Sequence, residues 1–236
     1  SQIIFQHTIY PKILSLVFMD FQFIYLQTRT LTAMNYVNHW NSLYSSKKLE
    51  EVSWYQKIPH TSLDFIFDAN LSKDDAIIDI GGGDSFLVDN LINAGFTNLT
   101  VLDISKLAID RAKIRLGNNA KKVEWIVCDV RNFTSKKKYV LWHDRAVFHF
   151  MKNSRNIKEY YNTLLSRIVE SSTVVLGTFS ENGPDRCCAL DVCKYSINEL
   201  SLLFSKDFSL IKAENTLHKT PIGLTQAFTF VSLIKN

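Results

Sequence analysis

Three short apolar runs, each carrying an aspartate at its end, follow one another along this chain. They are "AIIDI" with Asp79, "LTVLDI" with Asp103 and "VEWIVCDV" with Asp129. Between them the pattern changes to helical spacing. "SFLVDNLINAG" places Phe86, Leu87, Leu91 and Ile92 on one face and offers Gly95 as a C-cap. Ser105 can cap "KLAIDRAKIRL", whose Ala108, Ile109, Ala112 and Leu116 share a face. "KKYVLWH" reads as a fourth strand, residues 155–170 as a helix with Ile157, Tyr161, Leu164 and Ile168 inward, and "STVVLGTF" as a fifth strand. Strands that alternate with helices pair in parallel, with helices on both faces of the sheet. "SINELSLLF" is a further helix. The last two runs, "FSLIKAENTLH" and "TQAFTFVSLI", are separated only by a turn around Pro221 and Gly223, so they pair antiparallel. The expected fold is a doubly wound, mostly parallel seven-stranded α/β sheet that ends in a C-terminal antiparallel hairpin.

The 236 residues suit one domain, and 46% hydrophobic residues allow a sizeable core. A net charge of +4, with no basic run longer than Lys136-Lys137-Lys138, does not argue for a nucleic-acid partner. The four cysteines form no CxxC pair, which argues against zinc and for reduced thiols in a reducing, cytoplasmic setting. Residues 1–33 differ from the rest. "PKILSLVFMDFQFIYL" is apolar but broken by Asp20, and too short to span a bilayer comfortably, so no stable membrane insertion is expected. These residues are read as an appendage of unknown role. Residues 34–236 are expected to form the folded domain, with 34–72 as a helical lid over the open end of the sheet.

In a doubly wound sheet the ligand lies beyond the carboxyl ends of the strands. The first turn there is "DIGGGDS". A dinucleotide fingerprint needs G-x-G-x-x-G, but Phe86 stands where the third glycine belongs. No Lys-Ser/Thr pair follows, so a P-loop fails as well. Asp79, two residues before Gly81, would repel a pyrophosphate. It suits a ligand with a positive group and no phosphate, such as S-adenosylmethionine (SAM). Asp103 stands where an acid takes a ribose diol, and Asp129 lies within reach of an adenine amino group.

With these residues in place the chain resembles a class I, seven-stranded SAM-dependent methyltransferase. "DIGGGDS", "VLDIS" and "CDV" match that superfamily's cofactor motifs in order. A narrower resemblance, carried by "HWNSLYSSKKLEEVSWYQ", "LWHDRAVFHFM", "GTFSENGPDRC" and "HKTPIGLTQAFTF", is to a group of bacterial methyltransferases. That group is distantly similar to eukaryotic lysine methyltransferases acting on elongation factor or citrate synthase. The resemblance implies that Asp79, Gly81, Gly82 and Gly83 hold the methionine end of SAM, Asp103 and Ile104 the ribose, and Asp129 and Val130 the adenine. It places the backbone of His143 near the methyl-donor end. One departure is Tyr139-Val140, where many relatives have Phe-Asp or Tyr-Asp.

Methyl transfer is an in-line displacement, in which positioning supplies much of the rate. A base is needed only if the nucleophile carries a proton. His143 and Asp144 are the catalytic candidates. Arg145 either clamps an acidic substrate or pairs with Asp144, and His149 reads as structural. Trp54 and Tyr55 are expected against the sulfonium by cation–π contact, with Gln56 beside them. Trp54, Arg145 and Arg186 are the expected substrate contacts. Cys187 lines the same pocket, without a partner base that would make it a nucleophile. The Asn/Asp-Pro-Pro-Tyr/Phe motif of nucleic-acid amino methylation is replaced by His143-Asp144-Arg145-Ala146, and a Pro-Cys nucleophile is absent. The expected acceptor is a small molecule, and a protein lysine is the alternative. A non-catalytic SAM-binding protein and a nicotinamide dehydrogenase are the readings from other classes. The chain is expected to act as a monomer or homodimer.

Overall fold

A computed structural model describes residues 35–236; the expected appendage over residues 1–33 lies outside the described residues. Helix α1 covers residues 35–46. It is followed by α2 (His60–Phe67), β1 (Ile77–Ile80), α3 (Leu87–Asn93), β2 (Leu99–Asp103), α4 (Lys106–Leu116), β3 (Val123–Val127), β4 (Tyr139–Arg145), α5 (Ser154–Arg167) and β5 (Ile168–Phe179). A small hairpin of β6 (Arg186–Cys187) and β7 (Leu190–Asp191) precedes α6 (Ile197–Phe204), β8 (Phe208–Lys219) and β9 (Thr225–Lys235).

The seven-stranded sheet has the order β3-β2-β1-β4-β5-β9-β8. The first five strands in that order are parallel, and β9 runs antiparallel to both β5 and β8. Burial explains why β9 takes the inner place. Its Phe228, Phe230, Val231 and Leu233 are buried, whereas β8 leaves Leu210, Ile211 and Leu217 exposed. The order reverses between β1 and β4, which opens the crevice where such sheets bind ligands.

Strand alternation sorts the core into two layers. Ile78, Ile80, Trp142, Val174 and Leu176 pack on one face with Tyr160 and Leu164 of α5. Ile77, Leu141 and Val175 pack on the other with Leu63, Phe65 and Ile66 of α2 and Leu91 of α3. Each fully buried aliphatic or Phe side chain contributes about 1.5–3 kcal/mol relative to exposure.

The helix ends fall where the capping residues put them. Gly95 adopts φ +91°, and its N–H donates to Ile92 while that of Phe96 donates to Leu91, closing α3 in a Schellman motif. Ser105 Oγ accepts from the Ala108 N–H at 3.2 Å. The expected helix over 155–170 is shorter, because Ile168 already belongs to β5 and pairs with Tyr139. Tyr160 is the fully buried tyrosine of α5. Tyr161 instead turns its hydroxyl to Asp207 at 2.7 Å. Among the described residues, no helix is long and apolar enough to cross a membrane.

Candidate active site

A cavity that opens to solvent lies at the carboxyl ends of β1, β2 and β4. Tyr36, Trp40 and Tyr44 from α1 line it, together with Trp54. These three α1 aromatics recur every four residues, the spacing of one helix face. Trp40 makes edge contacts with Trp54 at 6.1 Å and with Phe150 at 5.5 Å, and Tyr44 meets Trp54 at 5.9 Å.

The glycine turn is shaped by the protein's own side chains. Gly81 has φ +64°, and a Cβ there would stand 2.0 Å from Val147 Cγ2. Gly83 has φ +48°, and its Cβ would meet Tyr44 Oη at 2.7 Å and Asp103 Oδ2 at 3.0 Å. At Gly82 a Cβ would run into the Asp79 carboxylate. Gly81 and Gly82 line the cavity, and Gly83 stands behind it.

Alternation along β4 divides its candidates. His143 and Arg145 face the cavity, and Asp144 points to the opposite side of the sheet. His143 is 2% exposed and fully engaged. Its Nδ1 lies 2.7 Å from Asp79 Oδ1 and its Nε2 lies 2.9 Å from Ser62 Oγ. Asp79 accepts, so Nδ1 donates to it, and Nε2 shares a hydrogen bond with the serine hydroxyl. Asp144 accepts from Tyr160 Oη at 2.6 Å and from the Val147 and Phe148 amides at 2.8 and 3.2 Å. Burial pushes its carboxyl up to about 6, against those hydrogen bonds. It pins the loop after β4 and does not line the cavity, which corrects the expectation that it acts on substrate. The expected Asp144–Arg145 pair is corrected for the same reason.

Arg145 instead donates from Nη1 to Gln56 Oε1 and from Nη2 to the Trp54 carbonyl at 3.0 Å. Burial lowers its guanidinium to about 10, with Asp79 opposing the shift. His149 is wholly buried between Phe150 and Phe179, and burial lowers it to about 3, as a structural residue would be.

Asp103 is 6% exposed. Its Oδ1 accepts from the Ser105 N–H at 2.7 Å. Burial raises it to about 7, with Asp84 and Asp79 adding to the shift. Asp129 differs: its carboxylate is gripped by the Arg131 guanidinium at 2.5–3.2 Å and also accepts the Arg131 amide at 2.9 Å. Ile104 and Val130 line the cavity beside these two acids.

Two expected contacts fall elsewhere. Tyr55 packs against Phe86 at 5.9 Å and lines a separate shallow groove, because the chain turns between residues 54 and 55. Arg186 is exposed and holds Asp191 and the Ala189 carbonyl across the β6–β7 hairpin. Cys187 does line the cavity. The sequence reading missed Ser62, Arg131 and Trp40. The regular spacing of Tyr36, Trp40 and Tyr44 was a usable signal; Ser62 and Arg131 carried none.

Comparison with known proteins agrees with this geometry. Residues 47–196 match the Nodulation protein S (NodS) family. EEF1A lysine methyltransferase 2 of Danio rerio is 23% identical over 168 residues, covering 69% of this chain and 66% of that protein. The chain thus spans somewhat under two thirds of that relative. A SAM-dependent methyltransferase from Anabaena variabilis superposes with a TM-score of 0.67 at 14% identity, covering 87% of this chain and 95% of that one. N-methyltransferase NodS from Bradyrhizobium japonicum, solved with S-adenosyl-L-homocysteine, gives 0.59 at 12% identity over 77% and 89%. The chain belongs to the NodS family, within the class I SAM-dependent methyltransferases, and its cofactor is S-adenosyl-L-methionine.

Proposed function

We propose that the protein transfers the methyl group of SAM to a small-molecule acceptor. The observation that carries this is the walled cavity itself, roofed by α1 and Trp54, with only the small β6–β7 hairpin inserted between β5 and α6. No surface-recognition module stands at the mouth among the described residues. The relative that methylates a lysine supports the alternative acceptor, a protein lysine.

The residues fit the cofactor by their chemistry. Asp103 is a buried acid that accepts from the Ser105 and Gly83 amides and, among the described residues, forms no salt bridge, a natural acceptor for the ribose hydroxyls. Ile104 and Val130 offer apolar contact to the adenosine. Asp129 is already neutralised by Arg131, so it serves adenine through that pair or through backbone. Asp79, Gly81 and Gly82 face the methionine end. Trp54 and Trp40 offer aromatic faces to a sulfonium, worth about 0.5–2 kcal/mol each. Bound there, SAM supplies an electrophilic methyl group.

His143 lines the cavity beside Ser62, to which its Nε2 is hydrogen-bonded. Ser62 Oγ, held in place by His143, also lines the cavity and can hydrogen-bond an N–H or O–H of the substrate there. Arg145 orients an acidic group only with the donors that the Trp54 segment leaves over.

The test is incubation with methyl-labelled SAM and a cell extract, followed by separation of small molecules from protein. Label in the acid-soluble fraction supports the proposal. Label in protein would replace it with the lysine reading, and SAM binding with no labelled product would favour a non-catalytic role.

A further inference from the structure

Residues 52–58 join α1 to α2 without regular structure, yet they carry Trp54 to the cavity wall. A segment with no ladder of its own must be held by something else. Asn90 Nδ2 donates to the Lys57 carbonyl at 3.1 Å, and four further hydrogen bonds hold the segment and form a closed ring. His218 Nε2 donates to the Ser53 carbonyl at 2.6 Å. Gln56 Nε2 donates to His218 Nδ1 at 3.1 Å. Gln56 Oε1 accepts from Arg145 Nη1, and Arg145 Nη2 donates to the Trp54 carbonyl at 3.0 Å. The two fixed points, Arg145 and His218, stand at the ends of β4 and β8, which the sheet holds rigidly.

We propose that His218 and Gln56 are positioning residues, which with Arg145 clasp the Trp54 segment onto the cavity. The ring admits one protonation state. Nε2 of His218 faces a carbonyl and must carry a proton, so Nδ1 must be bare to accept from Gln56. The Gln56 amide cannot turn over, because its oxygen is committed to Arg145. A second proton on His218 would set N–H against N–H. The charged groups around it are cationic: Arg145 across the ring, and Lys57 and Lys219 in the groove that also holds Tyr55. Burial and Arg145 both lower the imidazole from its ordinary value of 6.5, with the Ser53 bond opposing them. The clasp is therefore whole above about pH 6.5 and opens as pH falls through the lowered value.

The effect on ligand rests on the cofactor reading above; the clasp itself does not. Hydrogen exchange at the amides of residues 53–57 and affinity for S-adenosyl-L-homocysteine are measured between pH 5.5 and 8. The comparison is between wild type, His218→Ala and His218→Gln. Wild type is expected to lose protection and about five- to tenfold in affinity once pH falls through the lowered value of His218, the worth of one or two hydrogen bonds. His218→Ala should show the weakened state at every pH. His218→Gln keeps one donor and one acceptor, so it should restore most of the affinity with a flat pH profile. Unchanged exchange at residues 53–57 in His218→Ala would overturn the clasp, whether or not the nucleoside binds. Failure of wild type to bind the nucleoside, with exchange altered as expected, would sink the cofactor reading alone.

Discussion

At Asp103 burial holds a carboxyl near pH 7 against hydrogen bonds from the Ser105 and Gly83 amides, with no salt bridge to it among the described residues. Its unfolded value is near 3.8. The folded chain therefore binds a proton that the unfolded chain has lost, and stability falls as pH rises from 3.8 to about 7. Asp103→Asn should then stabilise the ligand-free protein at pH 8, by on the order of 2–4 kcal/mol. It should also weaken S-adenosyl-L-homocysteine at least tenfold. Thermal melts and calorimetry read the two effects, and an Asn variant that is no more stable would contradict the buried-anion account. Hydroxyls donated to the carboxylate lower its pKa, so binding at pH 7 should release up to half a proton. Calorimetry in buffers of different ionisation enthalpy measures that release; a value of zero would remove the ribose from Asp103. Gly81 makes a steric case at the same scale. Gly81→Ala combines a left-handed φ with a Val147 methyl 2.0 Å away, and should destabilise by about 2–4 kcal/mol. Adding Val147→Ala should return the steric part and leave the backbone part, which denaturant unfolding of the double variant can separate.

Within β4, neighbouring residues take opposite roles because the strand alternates. His143 and Arg145 face α2 and the Trp54 segment, while Asp144 faces Tyr160 of α5. Asp144→Ala leaves a buried tyrosine hydroxyl and two amides without an acceptor, at about 1–3 kcal/mol each if fully unmet. It should cost about 3 kcal/mol of stability, yet change affinity for S-adenosyl-L-homocysteine less than twofold in the folded fraction. A tenfold loss of affinity would put Asp144 back in the site. The elements themselves were legible in the sequence. Apolar runs of strand length, Ser105 and Gly95 at helix ends, and the turn at Gly223 each act locally, so periodicity and caps reveal them. The site was half legible. Asp79 and Asp103 are placed by the strand ends alone, and both line the cavity. Arg131 on Asp129, Ser62 on His143 and His218 on Ser53 join residues 2, 81 and 165 positions apart. The first was hidden because a side chain can fold back on its own cap. The others depend on where distant elements cross, which no local pattern states. The order β5-β9-β8 was hidden for the same reason, since either strand of a hairpin can take the inner place until burial is compared.

Across the whole molecule, the turn after β1 decides which nucleotide the fold can accept. A pyrophosphate at that turn would face the Asp79 carboxylate, which His143 already orients toward the cavity. It would also need the close helix–strand approach that a third glycine provides. Phe86 occupies that place, edge-on to Tyr55 with the Arg115 guanidinium 4.4 Å over its ring. Replacing it would dismantle a packed surface cluster, so the turn is committed to a ligand without phosphates. A ligand that binds only the folded chain stabilises it by about 2.7 kcal/mol at a hundred times its dissociation constant. For a domain of this size that is about 5–10 °C in melting temperature. SAM and S-adenosyl-L-homocysteine should each raise the midpoint by that amount in a thermal scan at saturating ligand. NAD at the same concentration should leave it within about 1 °C, because its pyrophosphate meets an acid and no anion cradle. A shift with NAD as large as with SAM would mean that Asp79 and Phe86 do not discriminate, and the ligand assignment of the entire strand-end crevice would have to be redrawn.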